Sequence, residues 1–218
     1  MEQTVAAGQP AAGEETAATA AHDHTAPSRA GACIWLTGPS GAGKSTLTAA
    51  LVPRLEVLGR TVSVLDVVPL LAKAPGERSS EGKLLRKAFV AGEIARHGGI
   101  AICVTVSARR EVRERAREVV GADRFVEVHV DVPAEVAAAR RAARGRRVPL
   151  RRRARELRQR VARFVGAKRG LAYEPPDAPD VRIDTSRTAP DVGAEAVLAA
   201  LRARGLLPSG NLPRTPWA

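Results

Sequence analysis

Apolar and polar positions follow two rhythms along the middle of this chain. Five short runs are apolar or β-branched: Ala32 to Thr37, Thr61 to Asp66, Ile100 to Val106, Arg124 to Val130 and Val181 to Asp184. They lack helical spacing and predict strands, and the unbroken run from Ile100 predicts a central parallel strand buried on both faces. Between them apolar residues recur at helical spacing. Leu47, Leu51, Leu55 and Leu58 mark one helix. Residues 81–97 form a second, closed by Gly98-Gly99, and a third runs from about Ala108 to Gly121. Pro133 opens a fourth, through about Ala143, and residues 191–204 form the last, with Val197, Leu198 and Leu201 on its apolar face. Strands alternating with helices predict an α/β fold, a five-stranded parallel sheet sandwiched by helices with right-handed crossovers. Ligands of such sheets bind at the carboxyl ends of the strands. Asp66, the turn after Thr37, Ser107 and the segment after Val130 are therefore expected around one crevice.

That turn carries the most specific pattern in the chain. Gly38-Pro39-Ser40-Gly41-Ala42-Gly43-Lys44-Ser45 fits G-x-x-x-x-G-K-[ST], and Thr46 follows it. It lies between a predicted strand and a predicted helix, the setting in which the pattern forms a phosphate loop of the P-loop NTPase type. The glycines let successive N–H groups face an anion, and the helix start adds its positive dipole end. Lys44 can reach the terminal phosphates of ATP, and the Ser45 hydroxyl can join the coordination of Mg²⁺.

Composition narrows the setting. With 218 residues the chain fits one domain, expected over residues 31–206, between a disordered tail at 1–30 and an irregular tail at 207–218. Hydrophobic content of 44% can fill a core, but aromatics at 3% leave it to Val, Leu, Ile and Ala. No apolar run approaches the roughly 18 residues of a membrane span. Cys33 and Cys103 fall in predicted strands, which suits buried thiols in a reducing compartment. The first thirty residues carry four acids against Arg29 and lack the basic start and apolar centre of a signal peptide, so a cytoplasmic location is expected. The net charge of +12 is local, since fourteen Arg/Lys and only Glu156 lie between Arg140 and Arg169. An arginine-rich helical lid, at about 144–170, is one reading; a nucleic-acid surface is another, and the lack of interleaved aromatics argues against it. A solvated helix accounts for most of these charges.

The rest of the chain selects among phosphate-loop classes. The guanine-reading Asn-Lys-x-Asp motif of GTPases is absent. The run ending at Val106 is followed by Ser107 rather than by the acid that motor ATPases use to hold Mg²⁺. The first strand-end acid is Asp66, on the strand after the phosphate-loop helix. This layout suits small-molecule kinases, in which such a carboxylate orients the acceptor hydroxyl or engages the metal. A turn former or helix cap is the plainer alternative for Asp66.

From Cys33 to Leu201 the chain resembles the adenylylsulfate kinases, which phosphorylate the 3′-hydroxyl of adenosine 5′-phosphosulfate with ATP. Ile34 to Thr46 is similar to the family's first strand and phosphate loop, and Val64-Leu65-Asp66 to its Asp-Gly-Asp strand end. Val106-Ser107-Ala108-Arg109-Arg110-Glu111 resembles Ile-Ser-Pro-x-Arg-Glu, and Val130 to Val136 resembles Val-Asp-x-Pro-x-Glu-Val. Tyr173-Glu174, Pro176 and Asp184-Thr185 echo the lid end and last strand. The resemblance implies catalytic roles for Lys44, Asp66 and Ser107, the last at the family's phosphoserine position, and Mg²⁺ held at Ser45 and Asp66. A serine at a strand end beside a helix is equally well explained as an N-cap. Arg152 and Arg153 align with a family lysine pair.

The departures all fall on the acceptor half. Val67-Val68-Pro69-Leu70-Leu71 replaces Gly-Asp-Asn-x-Arg, Ser80-Glu81-Gly82-Lys83-Leu84 stands for Asp-Arg-x-x-Asn, and Lys168 replaces an aspartate. Three readings follow. One is an adenylylsulfate kinase with an altered pocket. The second is a kinase of this lineage with another hydroxyl-bearing acceptor, and the third a nucleotide-binding protein without transferase activity. A homodimer is compatible with each.

Overall fold

The computed structural model describes residues 30–66, 79–146 and 172–208. The expected N-terminal tail and nearly all of the arginine-rich lid lie outside these residues, as do Val67 to Leu71, Arg152, Arg153, Lys168 and the C-terminal tail from 209. Among the described residues ten elements alternate: β1 (Ala32–Thr37), α1 (Lys44–Val57), β2 (Val62–Leu65), α2 (Ser80–Arg96), β3 (Ile100–Val104), α3 (Arg110–Val120), β4 (Phe125–Asp131), α4 (Ala134–Arg146), β5 (Val181–Asp184) and α5 (Pro190–Ala203). All strand pairs are parallel, in the order β2-β3-β1-β4-β5. The chain runs to one side of β1 and then to the other, so the strand order reverses beside β1. That is where an α/β sheet opens a ligand crevice.

The two faces of β1 explain the two layers. Ala32, Ile34 and Leu36 pack with Leu47, Leu51 and Leu55 of α1 and with Val197, Leu198 and Leu201 of α5. Cys33 and Trp35 face the other way, toward Ala88 and Ala91 of α2 and Ala116 of α3. Alanines on those helices let them lie close to the sheet, and two large rings fill the space left. Trp35 and Phe125 stand with ring centroids 5.5 Å apart, both fully buried. The Cys33 and Cys103 sulfurs lie 3.9 Å apart on adjacent strands, and burial pushes the Cys33 thiol well up. Both thiols are free, as a buried location predicts.

Boundaries moved in three places. β3 ends at Val104 rather than Val106, because Ser107 turns the chain at φ 35° and the Val106 carbonyl accepts from the Thr37 hydroxyl at 3.0 Å. α4 continues to Arg146, into the stretch expected to begin the lid. Leu207, assigned to the irregular tail, is buried beside Leu206 in the α1/α5 layer. Among the described residues no helix is long and apolar enough to cross a membrane. Phe125→Ala removes the aromatic partner of Trp35 and should cost about 3–5 kcal/mol, read from the urea midpoint at unchanged slope.

Candidate functional site

The chain leaves β1 at Thr37 and enters α1 at Lys44, and the six residues between them form the loop. Two glycines fix its shape. Gly38 has φ 147° with its Cα against the sheet, where an added Cβ would stand 2.2 Å from the Val130 carbonyl oxygen. Gly43, at φ 101°, is the N-cap of α1, and its carbonyl accepts from the Thr46 and Leu47 amides. The start of α1 is thereby aimed into the crevice with N–H groups that have no partner within the helix.

The loop is braced from the far side of the sheet. The Thr185 hydroxyl, just past β5, donates to the Ala42 carbonyl at 2.6 Å. Arg140 of α4 donates to the Thr185 hydroxyl and carbonyl, both at 2.9 Å, and Arg141 donates to the Ser40 carbonyl at 2.6 Å. Lys44 folds back over the loop, its ammonium donating to the Gly38 carbonyl at 2.6 Å and to Pro39 at 2.9 Å. Burial lowers its pKa to about 8; the Asp66 carboxylate works against that shift, and Arg144 adds to it. Ser45 and Thr46 are exposed on the first turn of α1. Gly38, Pro39, Ser40, Gly41, Ala42, Gly43, Lys44, Ser45 and Thr46 are therefore one continuous segment, in which Gly38, Ala42 and Lys44 are buried and Ser40, Ser45 and Thr46 are exposed. Beside it lies a cleft of about 460 Å³, lined by Thr46, Arg140, Arg144, Thr185, Thr188 and Pro190 among others. A nucleoside fits that volume.

The opposite side of the crevice holds Asp66 and Ser107. Asp66 ends β2 with an exposed side chain, and its backbone carbonyl accepts from Lys87 Nζ at 2.7 Å. Ser107 is 2% exposed and does not cap a helix; α3 begins at Arg110 with Arg109 as N-cap. Its hydroxyl accepts from Trp35 Nε1 at 3.2 Å and donates to Thr37 Oγ1 at 2.8 Å. The Thr37 proton goes to the Val106 carbonyl, so in the 3.1 Å contact the Tyr173 hydroxyl donates to Thr37. Ser107 thus lies beneath the loop within a closed hydrogen-bond chain, and Asp66 at its open rim.

Sequence reasoning did not find Arg113 or Lys87. The Arg113 guanidinium is buried, paired with Glu127 at 2.9 Å, and donates to the Ser107 and Glu174 carbonyls at 2.8 Å each. It ties the turn after β3 to the segment that leads into β5. A charge on an amphipathic helix carries no sign that it points inward. Arg113 sits one position after Val112, which is also buried, and that widened stripe is the only trace. His129, buried and stacked on Tyr173 at 5.7 Å, was read as strand alone; burial lowers its pKa.

Comparison with known proteins is consistent along most of the chain. Residues 30–184 match the family described as adenylylsulphate kinase. A probable adenylyl-sulfate kinase of Pyrococcus abyssi is 36% identical over 185 residues, 82% of this chain and 99% of that protein. The adenylyl-sulfate kinase of Paraburkholderia xenovorans is 39% identical over 182 residues, covering 80% and 95%. Among solved structures, the Mycobacterium tuberculosis APS kinase CysC in complex with AMPPNP and APS superposes with TM-score 0.58 at 27% identity, covering 79% of this chain and 98% of that one. This chain belongs to the adenylylsulfate kinase family.

Proposed function

We propose that this protein transfers the γ-phosphoryl group of ATP to the 3′-hydroxyl of adenosine 5′-phosphosulfate. The observation that carries the reading is the division of one crevice by the phosphate loop. A nucleoside-sized cleft flanks the loop toward β5, and a strand-end carboxylate flanks it toward β2. ATP would lie with its base in the cleft and its phosphates against the start of α1. Lys44 leaves the Gly38 and Pro39 carbonyls for the β- and γ-phosphate oxygens, exchanging neutral acceptors for charged ones.

The oxygen donors present suit Mg²⁺. Ser45 and Asp66 offer an exposed hydroxyl and an exposed carboxylate, and among the described residues no cluster of three or more His, Cys, Asp or Glu competes for a metal. Mg²⁺ commonly takes one or two protein oxygens with waters and phosphates. When bound, it would neutralise charge on the triphosphate. Asp66 takes the proton of the acceptor hydroxyl as the new P–O bond forms and the bond from the γ-phosphorus to the β–γ bridging oxygen breaks, leaving ADP. Direct in-line transfer needs no phosphoenzyme, and Ser107 has a structural task in holding Trp35 and Thr37.

A different acceptor alcohol is the second reading. It is favoured by Ser80-Glu81-Gly82-Lys83-Leu84, where α2 begins without the arginine and asparagine of the family pattern.

The deciding assay supplies ATP, Mg²⁺ and adenosine 5′-phosphosulfate and follows the 3′-phosphorylated product; no turnover at saturating substrate rejects this acceptor. Lys44→Ala should abolish the rise in Tm that Mg-ATP gives the wild type. Asp66→Asn should lower kcat about 10²- to 10⁴-fold and leave ATP affinity within a few-fold, and an unchanged rate removes Asp66 from the chemistry. Ser107→Ala leaves the Trp35 indole N–H without its acceptor, which should cost about 1–3 kcal/mol of stability. Turnover should persist in that variant, and its loss in a folded protein would favour a phosphoserine.

A further inference from the structure

Two lysines are buried at the carboxyl edge of the sheet, and the reading above uses only one. Lys87 projects from α2 and is 9% exposed, the same as Lys44. Its ammonium donates to the backbone carbonyls of Asp66 at 2.7 Å and Val104 at 3.1 Å, which lie at the ends of β2 and β3. Lys44 spans two backbone carbonyls of the phosphate loop in the same manner. An ammonium has three N–H donors, so each lysine keeps one beyond these bonds.

Among the described residues neither lysine forms an ion pair with a carboxylate. Burying a charge with only neutral dipoles for partners is costly unless a counter-ion arrives. Burial pushes the Lys87 pKa down, and electrostatic interaction with Cys103 and Asp66 works against that shift. The Asp66 carboxylate opposes the downward shift of both ammoniums. For Lys44 the incoming anion is the triphosphate. Lys87 stands on the β2/β3 side, away from the nucleoside-sized cleft at β5. It is also one helical turn beyond Lys83, inside the very helix whose first turn lacks the family's acceptor-binding residues.

We propose that Lys87 is an acceptor-side anion site: its remaining N–H takes an oxygen of the sulfate or phosphate group carried by the acceptor, compensating for the missing arginine and asparagine. The assignment rests on the kinase reading, but it does not depend on which alcohol accepts.

The test uses the full chain loaded with Mg²⁺ and AMPPNP, with inorganic sulfate and adenosine 5′-phosphosulfate as probes. Lys87→Gln keeps a donor for the two carbonyls and removes the charge; Lys87→Arg keeps the charge. In the wild type both probes should raise Tm. Lys87→Gln should weaken both about 10- to 100-fold, the loss expected for a charge-assisted hydrogen bond. It should leave the AMPPNP shift intact, and Lys87→Arg should recover part of the loss. In turnover, the acceptor KM should rise by the same factor with the ATP KM unchanged. A wild type that no sulfate concentration protects overturns the proposal, as does a Lys87→Gln that melts earlier yet binds both probes as the wild type does. If Lys87→Gln does not fold, sulfate protection in the wild type and in part in Lys87→Arg, but not in Lys87→Met, counts for the site, and equal protection of Lys87→Met counts against it. Sulfate protection that depends on Lys87, without turnover of adenosine 5′-phosphosulfate, rejects the acceptor assignment alone and leaves the anion site standing.

Discussion

The contact between Gly38 and the Val130 carbonyl governs this molecule. The phosphate loop cannot stand clear of the sheet: its first residue rests on the end of β4, in a backbone conformation that side chains rarely adopt. From that fixed point the loop rises over the edge of the sheet and returns at Gly43, which sets the direction of α1. Every later component is measured from there. Thr185 and Arg141 hold the loop's Ala42 and Ser40 carbonyls, and the Ala42 amide closes a turn onto the Pro39 carbonyl. The cost of this shape is met in the folded state, before any nucleotide arrives, and a preorganised cradle loses little on binding.

The fold was legible because its strands are short apolar runs and its helices are amphipathic, two periods that do not overlap. The five strands and five helices of the described residues follow from those periods. What the periods could not convey is where polar groups redirect the chain. β3 stops early because a threonine hydroxyl claims a carbonyl that the next ladder position would need, and such competition leaves no mark on hydropathy. The site divides in the same way. The phosphate loop was readable because its chemistry is written in consecutive residues. Lys87 and Arg113 were not, since each is one charged residue on a helix rich in them. Only the packing of α2 and α3 against the sheet decides that these two turn inward. Ser107 was found by its position, but the role of its hydroxyl depends on Trp35 and Thr37, some seventy residues earlier.

The cations of this chain serve three different ends. Surface pairs such as Arg54 with Asp191 and Glu195 are exposed and contribute little. Arg113 is buried with Glu127 and joins segments distant in sequence, so removing either partner would strand the other charge. Lys44 and Lys87 are buried without a carboxylate partner among the described residues, each holding two backbone carbonyls at the carboxyl edge of the sheet. Location and pairing, rather than the overall excess of positive charge, distinguish these three groups of cations.

Tyr173 is the chain's single tyrosine. Its phenol donates to the threonine immediately before the phosphate loop, which in turn touches the serine that receives the Trp35 indole. Tyr173 and Trp35, one of the chain's two tryptophans, therefore converge on one small group of hydroxyls beside the first residue of the phosphate loop. A change in that group of hydroxyls alters the polar surroundings of an indole and a phenol together, so the intrinsic ultraviolet spectrum, with Trp217 as a second emitter, senses the base of the loop without any attached dye.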